Sequence, residues 1–313
     1  MKLLRGFNDT AGYRDGFLSI GNFDGVHRGH QQMFAALTRR ARAAGVPSVV
    51  LTFDPHPIQL LRPEQVPPAL TSLDQKVTLI EACGVDFLIV YPTDLRMLNL
   101  SAEDFFERVV LGEFQARGLV EGPNFFFGRD RSGNTQLLER LCLAAGLELD
   151  IVPPVYAGTL MVSSSAIRQL LLDGDVAQAA DLLGHWYQVY GQVSLGAERG
   201  RTIGFPTANV THITTLLPRD GVYAGIARTE HGRWPTAINL GPNPTFGEKR
   251  RKLEAHLLGF QGDLYGRPIE IDFVERIRDT QPFADLESLK RQIHLDVERV
   301  REVVTVPASR GIK

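Results

Sequence analysis

The pattern of apolar residues changes near residue 185, and this change restricts the possible folds more than any other feature of the sequence. Between Phe17 and Leu183 short apolar runs, FLSIG (17–21), SVVLTF (48–53), DFLIVY (86–91), GLVEG (118–122) and LDIVP (149–153), alternate with segments of helical period near 29–44, 73–83, 101–114, 134–145 and 164–183. Strands that are apolar on both faces and separated by helices predict a parallel sheet with helices on each side. Such sheets take ligands at the carboxyl ends of their strands. Beyond Trp186 the runs 187–196, 221–229, 235–241, 252–260 and 269–277 are separated by turns containing Gly or Pro. The alternation in LEAHLL and IEIDFV predicts antiparallel strands with one wet face, hence a small barrel or sandwich. A closing helix is expected over 284–304, where Leu286, Leu289, Ile293, Val297 and Val300 recur at helical spacing.

The length of 313 residues fits two domains at roughly 150 residues each, with 1–185 as the first and 186–313 as the second. A formal net charge of −2 gives no global case for a nucleic-acid or membrane-surface partner, so any phosphate chemistry must be local. Cys83 and Cys142 are too few for a disulfide framework or a thiolate metal site. With no apolar run of about 18 residues and no secretory pattern at the start, the expected location is the cytoplasm. Oligomerisation is left open.

The segment SIGNFDGVHRGHQQMFAAL (19–37) puts a glycine-containing turn between a strand and a helix, with His27 and His30 where the helix begins. Backbone N–H groups and the helix dipole favour anions there, and both imidazoles can donate to phosphate oxygens. Zinc binding by the histidine pair is the weaker alternative, because no third ligand has convincing spacing. A second polar run, Ser163-Ser164-Ser165-Ala166-Ile167-Arg168, opens a helix and carries an arginine able to grip phosphate bidentately; alone it reads equally well as an N-cap.

In the second half GAERGRTIGFPTANV (196–210) joins glycines and arginines to Pro206-Thr207-Ala208-Asn209. Such a loop can wrap polyphosphate while hydroxyl and amide oxygens hold Mg²⁺, although a solvated hairpin has the same composition. In LEAHLL, Glu254 and His256 share the face opposite Leu253 and Ala255. A carboxylate on that face is either a base or a solvent-facing residue.

GNFDGVHRGH together with SSSAIR resembles the signature of the HxGH nucleotidyltransferases. With LTFDPHP (51–57) and GPNFFFGRDRSGN (122–134), it resembles the FMN adenylyltransferase module of the bacterial bifunctional riboflavin kinase/FAD synthetase family. RGRTIGFPTANV, GVYAG, NLGPNPTFG, LEAHLLGF and GDLYG resemble the riboflavin kinase domain of the same family, so the resemblance covers about 15–304. It implies a Rossmann-like α/β nucleotidyltransferase domain followed by a small antiparallel β-barrel kinase domain with a C-terminal helix. The implied activity is phosphorylation of riboflavin to FMN and adenylylation of FMN to FAD, each from Mg-ATP. By the same resemblance Gly21, Asn22, Phe23, Asp24, His27, Gly29 and His30 line one ATP site, Ser163, Ser164 and Arg168 contribute from the second motif, and Asn124, Phe125 and Arg129 lie near the flavin. Arg201, Gly204 and Pro206 would hold the kinase ATP, Thr207 and Asn209 would hold Mg²⁺ and ATP, and Glu254 would take the ribityl 5′-hydroxyl proton.

Direct readings of the same residues stay beside these. Phe125-Phe126-Phe127 suits a core anchor as well as flavin contact, His56 between two prolines suits a turn, and Lys249 to Lys252 suits a solvated turn. Ser165 stands where the family more often shows Thr, Asn124 where Asp is also common, and the basic run after NLGPNPTFG leaves the flavin lid unassigned. The competing functions are an adenylyltransferase with an inactive flavin-binding second domain, and a noncatalytic flavin carrier.

Overall fold

The computed structural model describes residues 1–7, 12–195, 204–242 and 251–304 and divides into two compact units, Met1–Ser164 and Ser165–Lys313. The first unit is built on six parallel strands, β1 (Lys2–Arg5), β2 (Phe17–Ile20), β3 (Ser48–Asp54), β4 (Phe87–Pro92), β5 (Gly118–Glu121) and β6 (Glu148–Ile151). Their spatial order is β1-β4-β3-β2-β5-β6. Successive residues of the apolar runs point to opposite faces, as a pleated strand requires. Leu18, Ile20, Val49, Leu51 and Leu119 pack on one side with Phe105, Phe106 and Leu138, and Phe17, Val50, Leu88 and Val120 on the other with Phe34, Leu37 and Ile80. The chain leaves β2 toward β3 on one side, and β5 returns to β2 on the other, so the strand order reverses at β2, where a ligand crevice is expected.

The covering helices are α1 (Arg28–Ala44), α2 (Pro57–Leu61), α3 (Leu73–Ala82), α4 (Leu95–Leu98), α5 (Ala102–Phe105) and α6 (Thr135–Ala145). The expected helix over 101–114 is α5 followed by a π-helical stretch, Phe106–Glu113. A short hairpin, β7 (Tyr156–Ala157) and β8 (Leu160–Met161), precedes the second serine motif. The reading of the sequence contained neither this hairpin nor β1, because two to four residues give too short a period to detect.

The second unit begins with α7 (Ser164–Asp173, counted from its second residue) and α8 (Val176–Leu183). The single expected helix 164–183 is broken at Gly174, whose φ of +86° is left-handed, and Asp175 then caps α8 by accepting from Gln178 N. β9 (Tyr187–Ser194), β10 (Ala208–Thr211), β11 (Gly221–Thr229), β12 (Gly232–Gly241), β13 (Lys252–Leu257) and β14 (Pro268–Arg278) close an antiparallel barrel in the order β10-β13-β12-β11-β14-β9. The strand β10 went unforeseen because only Val210 of its four residues is buried. The last helix, α9 (Leu286–Val303), lays Val300 and Val303 against Ala224, Ile226 and Ala237.

Two expectations about the barrel surface change. Asp272, placed by alternation on a wet face, is buried and held by Arg228 at 2.6 Å and Gln188 at 2.8 Å, so a charge partner substitutes for water. Arg251 is not part of a free solvated turn: its Nε donates to Asp220 at 2.6 Å, and Lys252 begins β13. Lys249 and Arg250 lie outside the described residues.

Candidate functional site

At the carboxyl end of β2 the chain makes a tight loop, Gly21 to His27, before α1. Gly21 N still donates to Leu51 O at 3.0 Å, extending the β2–β3 pairing, and then Phe23 (φ 47°) and Val26 (φ 41°) take left-handed conformations. A left-handed phenylalanine and a left-handed β-branched residue each cost on the order of 1–3 kcal/mol and persist only where surroundings enforce them. The enforcement is visible. The Asp24 carboxylate accepts from Leu70 N (3.0 Å), Thr71 N (3.1 Å) and Thr71 Oγ1 (3.2 Å), Gly25 N donates to Thr71 Oγ1 (3.2 Å), and Gln31 Nε2 donates to Val26 O (2.8 Å). Ser164 Oγ donates to Asp24 O at 2.9 Å, which ties the start of the second motif to the first.

His27 caps α1: its Nδ1 accepts from His30 N at 3.4 Å, which places the imidazole proton on Nε2. The two rings stack with centroids 3.6 Å apart and 16° between planes. Phe23 supports the pair, edge-on to His30 at 5.2 Å and against Phe34 at 4.9 Å. A Cβ at Gly29 would stand 3.1 Å from the His27 ring, so a side chain there would crowd the imidazole. Burial pushes the His27 imidazole down to about 4 and takes His30 well below its ordinary value, with His27 and Lys76 adding repulsion. Both rings are therefore neutral donors at pH 7 in this structure. His30 Nδ1 and Asn22 Oδ1 are covered and have no hydrogen-bond partner among the described residues, a further cost the loop carries.

The structure gives the other first-motif residues distinct places. Phe23 is buried beside His30, and the Asp24 carboxylate is engaged with the 70–71 segment. Ser163 and Ser164 are half-buried at the start of α7, and Arg168 follows one turn later, also half-buried. Of the three phenylalanines, Phe127 is a core anchor, Phe125 stacks on it at 5.4 Å, and Phe126 is exposed with the Arg131 guanidinium 4.5 Å over its ring. Asn124 and Arg129 are exposed. His56 caps α2 by accepting from Ile58 N at 3.2 Å, a turn role. Two residues near this loop were missed. Glu121, at the end of β5, is buried and accepts from Ile20 N at 2.8 Å, and burial raises its carboxyl well above the usual range. Lys76, on α3, has neighbours that sequence spacing does not reveal.

On the barrel the register aligns Asn209 (β10), Glu254 (β13) and Asn239 (β12) as direct cross-strand neighbours. Paired positions put their Cβ atoms within about 4.5–5.5 Å on one face. Lys252, Glu254 and His256 alternate with the buried Leu253, Ala255 and Leu257, so this row lies outside the barrel core, as the strand reading of LEAHLL expected. His256 Nδ1 donates to Pro206 O at 2.7 Å, and burial lowers its imidazole. Phe205 sits edge-on to His256 at 5.6 Å and to His294 of α9 at 5.0 Å, fixing the segment that enters β10. Gly204 and Pro206 are exposed, Thr207 and Asn209 half-buried, and Arg201 lies outside the described residues. Asn239 was missed although AINLG is a clear strand, because alternation alone does not say which strands become neighbours.

Comparison with known proteins bears on both constellations. The model of a family described as FAD synthetase matches residues 10–166, and one described as riboflavin kinase matches 183–304. Among curated relatives, a bifunctional riboflavin kinase/FMN adenylyltransferase of Escherichia coli (strain K12) is 37% identical over 98% of this chain and 100% of its own. One of the same description from Pseudomonas fluorescens is 36% identical over 99% and 100%. A solved structure described as a macrolide-efflux protein from Streptococcus pneumoniae superposes with a TM-score of 0.86 at 29% identity, covering 96% of this chain and 99% of that one. Its description is of transport, and what carries over is the fold; among the described residues no helix is long and apolar enough to cross a membrane.

Proposed function

The chain belongs to the bifunctional riboflavin kinase/FMN adenylyltransferase family, and from that membership we infer how its two polar constellations divide the work. It phosphorylates riboflavin to FMN with ATP and adenylylates FMN with a second ATP to give FAD and pyrophosphate. The observation that carries this reading is that each family match falls on one polar constellation, the strained histidine loop or the Asn209–Glu254–Asn239 row. We place the functional boundary at 185/186, between the end of α8 and the first barrel strand.

For adenylylation, the FMN phosphate attacks the α-phosphorus of ATP and the α–β bridging bond breaks, so the protein's task is alignment and stabilisation of the developing charge. His27 donates its Nε2–H and His30 a ring N–H to phosphate oxygens, the Gly21–His27 loop offers backbone N–H groups, and Arg168 grips phosphate bidentately from α7. Asp24 and Phe23 belong to the same ATP-lining set, Asp24 tied to the 70–71 segment and Phe23 edge-on to His30. Phe125, Asn124 and Arg129 face the flavin side. For phosphorylation, Glu254 accepts the proton of the ribityl 5′-hydroxyl as it attacks the γ-phosphorus, the β–γ bridging bond breaks and ADP leaves. The hydroxyl of Thr207 and amide oxygen of Asn209 are hard neutral donors, which suit Mg²⁺ carried on ATP phosphates. When bound, that ion neutralises phosphate charge. Arg201, Gly204 and Pro206 border the same ATP. The substrates are small molecules, the setting is cytoplasmic, and no nucleic-acid or membrane partner is invoked.

The test is a time course with purified protein, Mg-ATP and either riboflavin or FMN, resolving the three flavins by chromatography. FMN followed by FAD is expected. FAD from added FMN only would reduce the chain to an adenylyltransferase, and binding without turnover would make it a carrier.

A further inference from the structure

Lys76 is a half-buried lysine on the inward face of α3, one turn before the fully buried Ile80. Helical side chains lean toward the helix N-terminus. For α3 that end is the Leu70–Thr71 segment that clasps Asp24, beside the carboxyl edge of the sheet where β3 ends in Asp54. The ammonium lies in the fields of Asp24 and Asp54 and is close enough to depress His30. Yet no salt bridge engages Lys76 among the described residues, and the Asp24 carboxylate accepts from Leu70 N, Thr71 N and Thr71 Oγ1. A lysine kept partly out of water without a close counter-ion is costly, and burial lowers its basicity accordingly.

The stacked imidazoles add the second half of the argument. They stack on each other with Phe23 edge-on to His30, and burial favours their uncharged forms. A nucleotide polyphosphate carries several negative charges, and the strongest contacts to it are charge-assisted. We propose that Lys76 is a phosphate-contacting residue of the adenylylation site, placed beside the His27–His30 pair and acting on the ATP phosphates that become pyrophosphate. This rests on the adenylyltransferase reading of the first unit. The oxygens that gain charge as the α–β bond breaks meet a lysine already in place, with Asp24 and Asp54 opposing the loss of basicity that burial brings.

The test uses the full-length protein with Lys76→Met and Lys76→Arg, measuring FAD formation from FMN and Mg-ATP, and the reverse reaction from FAD and pyrophosphate. Lys76→Met is expected to lower kcat/KM for ATP and for pyrophosphate by ~100-fold, the loss typical of a removed oxyanion-stabilising donor, while the KM for FMN holds. Lys76→Arg should recover activity to within about tenfold of the parent, since it keeps the charge. The proposal is overturned if Lys76→Met stays within about twofold of the parent, the imidazoles then taking up the charge themselves. It is equally overturned if both variants lose activity alike with matching drops in Tm and in FMN affinity, which is a packing role. Either outcome leaves a parent enzyme that makes FAD, so the site's reading survives; a parent that makes none removes both.

Discussion

In the β2–α1 loop the polar groups depend on left-handed backbone and on two stacked imidazoles with Phe23 edge-on to one of them, whereas on the barrel they depend on side chains at matched positions of three strands. Both regions are proposed to handle ATP phosphates. The loop achieves this by holding an unfavourable conformation through many ties, Asp24 to the 70–71 segment and Ser164 to Asp24 among them. The row on β10, β13 and β12 needs no strain, because strand periodicity delivers Asn209, Glu254 and Asn239 to one face. A site built from strain is sensitive to packing changes around it, while a site built from register is sensitive mainly to loss of its own functional groups.

The sharpest test of that contrast is Glu254→Gln, which keeps the shape of the side chain and removes the carboxylate proposed as the base. Riboflavin phosphorylation should fall by ~1,000-fold or more, within the range for a lost general base, while FAD formation from supplied FMN is unchanged; retained kinase activity would remove Glu254 from its role. His30→Ala should lower FAD formation by about 100-fold, as for loss of a phosphate-side donor, and leave FMN formation intact in the same preparation.

A third test sets the burial of the loop against acid. His27 is held down at about 4, below the ordinary histidine value, so between those values the unfolded chain binds more protons than the folded one. Stability of the first unit is thus complete above about pH 6.5 and declines as pH falls toward 4, by about 3 kcal/mol at most from this group. Urea unfolding of the parent and of His27→Gln at pH 7 and 5 should show the smaller pH effect in the variant, and equal slopes would contradict it. The smallest effect is expected for Asn239→Ala, which removes a neighbour of Glu254 while keeping the strand. Kinase kcat should drop about tenfold through imperfect positioning, with FAD formation and Tm within error; an unaltered kcat would make Asn239 a bystander of the row.

Much of both units was readable in advance for a physical reason. Apolar runs such as 48–53 and 86–91 are long enough to carry a period, and the strands found at Ser48–Asp54 and Phe87–Pro92 match them closely. The histidine loop was readable because Gly25 and Gly29 flank His27 between a strand and a helix. What escaped was information that exists only in three dimensions. Lys76 looks like any surface lysine of an amphipathic helix until α3 docks beside Asp24 and Asp54. The clasp of the Asp24 carboxylate by Leu70 and Thr71, more than 40 positions away, is another contact of this kind. Asp272 followed the wet-face rule until Arg228 arrived from β11.

The closure of the barrel also has a consequence for synthesis. β9, at Tyr187–Ser194, pairs with β14, at Pro268–Arg278, so the last seam joins segments separated by most of the unit's length. Every strand of the parallel sheet, by contrast, has been made by residue 151. On a ribosome that releases the chain from its N-terminus, the sheet can form while the barrel strands are still being added, whereas the barrel waits for β14 to emerge. Premature termination between 200 and 268 therefore leaves a nascent protein whose first unit is whole and whose second is a set of open, unsealed edges, exposed to pairing with other chains.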